Sequence, residues 1–242
     1  MATPGTLTAC IDSAYPPLEY YKNGVDGEIV GIDADGIRAL GKLWDVNVKL
    51  ENQAFEGLVP ALQTGRCDLL WSGLYMNEER EQTLDGVAYM VTGPALAVRP
   101  ANEGKYTEKL DLCGGHFGVQ SGGAIAGMLK KLSDNCTAKD KAPVKVSQYP
   151  QPNDIIASVV NGKLDGIVET DIALQLMVEK TKGLAYIEGI FPAETKFGVF
   201  TNKGSKLSQP VSEGVKKLIE NGEMGKILEN YKIPASRLAT SD

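Results

Sequence analysis

The sequence predicts an α/β protein of two lobes, each a mainly parallel sheet flanked by helices. Three observations predict it. Strand and helix patterns alternate almost throughout the 242 residues. One passage is echoed about 97 residues later: Val59–Gly73 reads VPALQTGRCDLLWSG and Ile156–Thr170 reads IASVVNGKLDGIVET. Two extended segments, Tyr89–Pro100 (YMVTGPALAVRP) and Lys196–Asn202 (KFGVFTN), are long enough to cross from one lobe to another.

The elements follow in order. Leu7–Ile11 is a mostly apolar strand that stops at Asp12, and Pro16-Pro17 mark the turn after it. Gly31–Trp44 has helical spacing at Ile32, Ile37, Leu40 and Leu43, with Asp33 as the expected N-cap. Val46–Leu50 is a strand, Phe55–Leu62 a helix closed by Gly65, and Asp68–Trp71 a buried strand. In the echoed passages an apolar helix meets a glycine stop, a basic residue, one free position and an aspartate before an apolar strand. Gly65-Arg66-Cys67-Asp68 and Gly162-Lys163-Leu164-Asp165 thus mark one supersecondary unit used twice, the glycine supplying the left-handed turn. Two crossings place the second lobe, 95–196, inside the first, 1–94 plus 197–242, with a two-stranded hinge between them. Helices over Leu207–Glu220 and Met224–Tyr231 would pack on the first lobe. A hinged pair of lobes is a trap that closes on a ligand, and sites in such sheets lie at the carboxyl ends of strands.

Composition narrows the function. A net charge of -6 without Lys/Arg clusters argues against a nucleic-acid partner. No apolar run reaches the roughly 20 residues that span a bilayer. Met1–Gly5 lacks the basic and apolar regions of a leader and reads as an initiator placed where a leader was removed. Cys10, Cys67, Cys113 and Cys136 are too far apart for CxxC metal spacing. Their even number fits two disulfides and an oxidising compartment, with four buried thiols as the alternative. Cys10–Cys67 would join two strands, and Cys113–Cys136 would tie a strand approach to the end of the next helix. Each would contribute roughly 3–4 kcal/mol in the chain-entropy account. With His116 the only histidine, a histidine metal centre or Ser-His-Asp triad has little material, and no cofactor is expected.

Loops after strands supply the candidate site: Asp12–Tyr15, Phe55, Ser72–Tyr75 with Arg80 beyond, Gln120–Ala124, and Glu169–Asp171. The run from Tyr15-Pro16-Pro17-Leu18-Glu19 through Val30-Gly31-Ile32-Asp33 to Phe55-Glu56-Gly57-Leu58-Val59-Pro60-Ala61-Leu62 resembles the polar-amino-acid family of periplasmic binding proteins. The likeness continues through Ser72-Gly73, Glu79-Arg80, Gly118-Val119, Asp165 and Phe197-Gly198-Val199, covering essentially the whole chain. It implies the two-lobed type II periplasmic-binding-protein fold, a monomer in the periplasm, and delivery of a small ligand to an ABC transporter permease. Arg80 matches the arginine that forks onto the ligand carboxylate, a directional charge-assisted pair. On local sequence alone Arg80, among Glu78, Glu79 and Glu81, reads more readily as a surface arginine, and the resemblance reverses that reading. Tyr15 and Phe55 match aromatic walls, with core as the alternative, and Ser72 and Gly73 match a segment offering backbone groups and a hydroxyl. Asp12 matches a partner for a cationic side chain, or is a cap or turn residue; Trp71 and Tyr75 add bulk, with core as the alternative for Trp71.

Two departures bear on the ligand. Where the family carries Gly-Ser/Thr, Gly122 is followed by Gly123 and Ala124, which leaves Ser121 and backbone N–H groups at a helix start to meet an anion. Where the family's amino-binding aspartate belongs, spacing from Asp165 places Thr170, with Asp171 one residue late and Glu169 one early. A one-residue shift turns a side chain in another direction. The expected ligand therefore has a carboxylate but lacks an ordinary free α-ammonium, as in an N-substituted or opine-like amino acid. The alternatives are a cyclohexadienyl dehydratase-like enzyme using Glu169 or Asp171 as acid, a sensor module, and an α/β domain of other role.

Overall fold

The computed structural model describes residues 1–24 and 27–240. The chain divides into two compact units, Met1–Val91 with Thr195–Asp242, and Thr92–Glu194. The first unit opens with β1 (Thr6–Ile11), β2 (Ala14–Tyr15), β3 (Glu19–Tyr21), β4 (Ile29–Val30) and α1 (Ile32–Leu43). It continues with β5 (Asn47–Asn52), α2 (Leu58–Gln63), β6 (Leu69–Leu70), α3 (Glu78–Thr83) and β7 (Leu84–Thr92). The second unit holds β8 (Pro94–Val98), β9 (His116–Gln120), α4 (Ile125–Ala138), β10 (Lys145–Tyr149), α5 (Pro152–Val160), β11 (Gly166–Thr170), α6 (Asp171–Lys180) and β12 (Ala185–Ile187). The chain returns to the first unit with β13 (Thr195–Asn202), α7 (Ser208–Glu220) and α8 (Glu223–Asn230).

Among the described residues the first unit's main sheet runs β5-β1-β6-β13-β7 and the second unit's runs β10-β9-β11-β8-β12. β1 is parallel to β5 and β6, as β9 is to β10 and β11. Three other pairings are antiparallel, so the sheets are mixed where a mainly parallel arrangement was expected. β13 runs antiparallel to β6, and β8 runs antiparallel to β11 and β12. The two extended crossing segments became these strands, and they enter each sheet without the crossover helix that keeps neighbours parallel. The segment expected as Tyr89–Pro100 is the end of β7 followed by β8.

The echoed passages fold as α2 into β6 and α5 into β11. Gly65 (φ 74°) and Gly162 (φ 77°) take the left-handed position just past each helix. Asp68 and Asp165 then make the same bridge in each unit. The Asp68 N–H donates to the Thr8 carbonyl at 2.8 Å and its Oδ2 accepts from the Thr8 N–H at 2.9 Å. The Asp165 N–H donates to the His116 carbonyl at 2.8 Å and its Oδ2 accepts from the His116 N–H at 2.8 Å. The aspartate thus docks the third parallel strand onto the first.

Other local expectations shift. The helix expected over Phe55–Leu62 begins as a 3-10 turn, Phe55–Gly57, before α2. Pro60 falls in α2's first turn, where its missing N–H removes no helical hydrogen bond. Asp33 is not the N-cap of α1; Gly31 is. Asp33 lies one turn before Ile37 and two before Leu40, on the face those residues bury, and is itself fully buried. α7 lies against α1, where Gly214 meets Leu40 and Trp44. The Tyr231 hydroxyl, just after α8, donates to Asp35 Oδ2 at 2.7 Å and accepts from the Gly31 N–H at 2.9 Å. All four cysteines are paired, Cys10 to Cys67 and Cys113 to Cys136, each with Cα atoms 5.7 Å apart.

Candidate functional site

In the first unit the candidate residues gather on loops that follow the carboxyl ends of β1 and β6. The Asp12 N–H donates to Ser72 Oγ at 2.9 Å, which ties the two loops together. The Ser13 N–H and hydroxyl both donate to Asn52 Oδ1, at 3.0 and 2.8 Å, anchoring the first loop to the end of β5. Tyr15 is buried beside Gly73, whose left-handed backbone brings that loop under the ring. Asp12 is 3% exposed. Phe55 is half-buried and packs on the cluster that contains Cys10, Leu58, Leu62 and Phe200.

Behind these loops lies a buried polar network that the sequence reading missed. The Ser72 hydroxyl donates to Glu19 Oε1 at 2.7 Å. Asp33 Oδ2 accepts from the Gly73 N–H at 2.7 Å, and Asp33 Oδ1 accepts from the Tyr89 hydroxyl at 2.6 Å. Glu19 and Asp33 are fully buried. Burial, followed by the neighbouring Asp33, raises the Glu19 carboxyl well above the ordinary range. Burial also raises Asp33, to about 6, against the pull of its Tyr89, Glu19 and Gly73 partners. A signal existed in the sequence: Asp33 interrupts the apolar stripe of α1, a position where an acid needs built partners.

Ser72 was expected to offer its hydroxyl to a ligand, but its one proton points inward to Glu19. Trp71, read as added bulk or as core, takes the core place: it is fully buried, tilted against Tyr89 with centroids 5.3 Å apart, and covers Gly36. Tyr75 is also buried, stacked on Phe197 at 5.2 Å, and its carbonyl accepts from Arg80 Nη1 at 2.6 Å.

Arg80 is not the surface residue its neighbours suggest. It is the buried member of α3, while Glu78, Glu79 and Glu81 face outward. Asn77 caps that helix by accepting from the Arg80 N–H at 2.8 Å. Desolvation lowers the guanidinium to about 10, with Glu79 pulling the other way, so the group stays charged at neutral pH. A cation held largely out of water attracts a carboxylate more strongly than a surface arginine does.

In the second unit Ser121, Gly123 and Ala124 precede α4, of which Ala124 is the N-cap. The Ser121 N–H donates to the Tyr149 carbonyl at 2.9 Å and the Gly123 N–H to the Gln120 carbonyl at 3.3 Å. Thr170 is buried at the end of β11 and holds the N-cap position of α6 without a side-chain capping bond. Its N–H donates to Glu169 Oε1 at 2.9 Å. Asp171 Oδ1 accepts from the Thr92 hydroxyl at 2.5 Å, the Ile172 N–H at 2.8 Å and the Gly93 N–H at 3.4 Å. Both acids near the expected amino position are therefore engaged with their own unit's backbone.

Among the described residues no group of three His, Cys, Asp or Glu side chains could hold a metal ion, and no helix is long and apolar enough to cross a membrane. The L-arginine-binding protein of Pseudomonas aeruginosa is 27% identical over 91% of this chain and 85% of its own. The arginine-binding protein ArgT of Corynebacterium glutamicum is 24% identical over 96% of this chain and 76% of its own. The structure of an amino acid ABC transporter substrate-binding protein, AbpA from Streptococcus pneumoniae bound to L-arginine, superposes with a TM-score of 0.83 at 26% identity, covering 94% of both chains. The family model of bacterial extracellular solute-binding proteins, family 3, matches residues 7–233, nearly the full length that carries the two sheets and both pairs of strand-end loops. The chain belongs to the bacterial extracellular solute-binding proteins, family 3.

Proposed function

We propose that the chain captures a small amino-acid-derived carboxylate and delivers it to an ABC transporter permease. The lobes, 1–94 with 197–242 and 95–196, close on a ligand that docks first through Tyr15, Phe55, Gly73 and Arg80. Asp12 and Tyr75 complete this first surface, and Ser121, Gly123, Ala124 and Thr170 favour the closed state by differential binding. Capture of this kind needs no covalent step. The single observation that carries the reading is Arg80, a charged guanidinium only 9% exposed and braced by the Tyr75 carbonyl.

Within that class we infer a ligand without an ordinary free α-ammonium, of N-substituted or opine-like chemistry. Thr170 is neutral, and the Asp171 carboxylate already accepts from Thr92, Gly93 and Ile172. A second reading, unmodified L-arginine, is favoured by the names of the two relatives and by the arginine-bound AbpA structure.

Calorimetric titration with L-arginine, other amino acids, and their N-carboxyalkyl and sugar-conjugated derivatives tests both. Binding of a derivative but not its parent supports the opine-like reading, and tight binding of L-arginine replaces it with the second. Arg80→Ala should weaken whichever ligand binds by roughly tenfold to a hundredfold, the equivalent of losing a charged hydrogen bond. Unchanged affinity in Arg80→Ala would remove the carboxylate clamp.

A further inference from the structure

We propose that Glu19 and Asp33 hold one proton between them and act as positioning residues for the ligand loops, fixing Asp12–Tyr15 and Ser72–Tyr75 in their binding arrangement. The inference rests on the proposed capture of a carboxylate at those loops.

Glu19 leads β3 and Asp33 lies in the first turn of α1, and each carboxyl group holds a different part of the second loop. Glu19 takes the Ser72 hydroxyl, whose oxygen in turn takes the Asp12 N–H, so one chain of hydrogen bonds runs Asp12 to Ser72 to Glu19. Asp33 takes the Gly73 N–H and is itself fixed by the Tyr89 hydroxyl from β7. Neither acid belongs to the expected ligand shell, yet every link ends on a loop that does.

The protonation follows from counting donors. Asp33 receives two close hydrogen bonds, with the Trp71 indole also facing it, and so retains the negative charge. Glu19 receives one, at Oε1. Its Oε2 has no close hydrogen bond, and Asp33 and Asp12 both face the group. The Asp33 N–H donates to the carbonyl of Leu18, the residue before Glu19, at 2.9 Å, and the two acids hold adjacent residues of one loop; two carboxylates so placed and fully out of water do not both ionise, and the proton resides on the one with fewer donors. The proton on Glu19 then faces Asp33, the acid of another element, and joins β3 to α1 beneath both loops. Removing it places a second buried negative charge beside Asp33 and Asp12, which drives the loops apart.

The sign of the pH effect is fixed by these directions. Glu19 titrates higher in the folded protein than in the unfolded chain, so the native state holds the extra proton and is destabilised as pH rises through that titration. Glu19→Gln keeps the shape and stays neutral, and its amide can donate to Asp33. Urea unfolding without ligand should show stability falling with pH in the wild type and a flatter curve in Glu19→Gln. Between about pH 6 and about pH 9 the wild-type Kd for the tightest panel ligand should rise about tenfold, while that of Glu19→Gln stays within about threefold. Loss of charge on Arg80, held near 10, would weaken both proteins alike and cancels in the comparison.

Equal pH dependence in the two proteins, in stability or in Kd, overturns the proposal. If wild type bound no panel member while Glu19→Gln still flattened the stability curve, the shared proton would stand and the ligand class would be at fault. Should Glu19→Gln fail to fold, carbon-13 carboxyl titration of the wild type decides the matter. One glutamate still protonated at neutral pH is expected, and ordinary titration of every glutamate refutes the pair.

Discussion

At the scale of single residues, burial sorts side chains more sharply than type does. Trp71, Tyr89 and Phe197 are all fully buried, and their rings sit in series, 5.3 Å and then 6.1 Å between centroids. Gly36 exists to admit the first of them: a Cβ there would lie 2.6 Å from the Trp71 ring. Gly36→Ala should therefore lower unfolding free energy in urea by about 1–3 kcal/mol, the usual cost of overpacking, despite the better helix propensity of alanine. Sequence pattern could place Trp71 at a strand end but not decide which way it faced, because core and crevice both accept an aromatic. Arg80 posed the opposite difficulty. Its acidic neighbours suggested solvent, whereas a six-residue helix capped by Asn77 turns Arg80 inward and leaves the glutamates outside.

At the scale of elements, the recurrent unit is helix, left-handed glycine, aspartate, strand. Its meaning becomes physical in the bridges from Asp68 to Thr8 and from Asp165 to His116, each a reciprocal pair of hydrogen bonds at strand entry. Asp68→Ala and Asp165→Ala should each lose about 1.5–3 kcal/mol, since a backbone donor is left without its charged acceptor. The corresponding asparagine variants should lose less, and paired urea curves would read the difference. Unequal losses would show that Asp68, which also accepts from the Ala2 N–H at 2.7 Å, does more than its counterpart. This unit was legible because glycine and aspartate have narrow uses at helix ends and strand starts. The direction of β8 and β13 was not, since an extended apolar run reads the same from either end. Nor was the Glu19–Asp33 network, whose members are 14 positions apart in the sequence and are brought together only when the start of α1 docks beside β3.

At the scale of the whole molecule, each unit carries its own covalent tie. Cys10–Cys67 spans 57 positions within the first unit and Cys113–Cys136 spans 23 within the second. Replacing each pair by alanine should cost about 4 and about 3 kcal/mol respectively on loop-entropy grounds, with losses that add because the sites share no neighbours. Calorimetry on the two double variants and the quadruple variant checks both the order and the sum. Where the chain passes from one unit to the other depends on where pairing in one sheet gives way to pairing in the other. The second unit begins and ends at nearly the same point: a side chain added at Gly93 would strike the Pro192 carbonyl, 2.5 Å away. A segment whose two ends meet and that carries its own internal cross-link, Cys113 to Cys136, has the form of a cassette. Joining Val91 to Thr195 is therefore expected to leave a first unit that folds on its own, which circular dichroism and urea unfolding of that shortened chain would check.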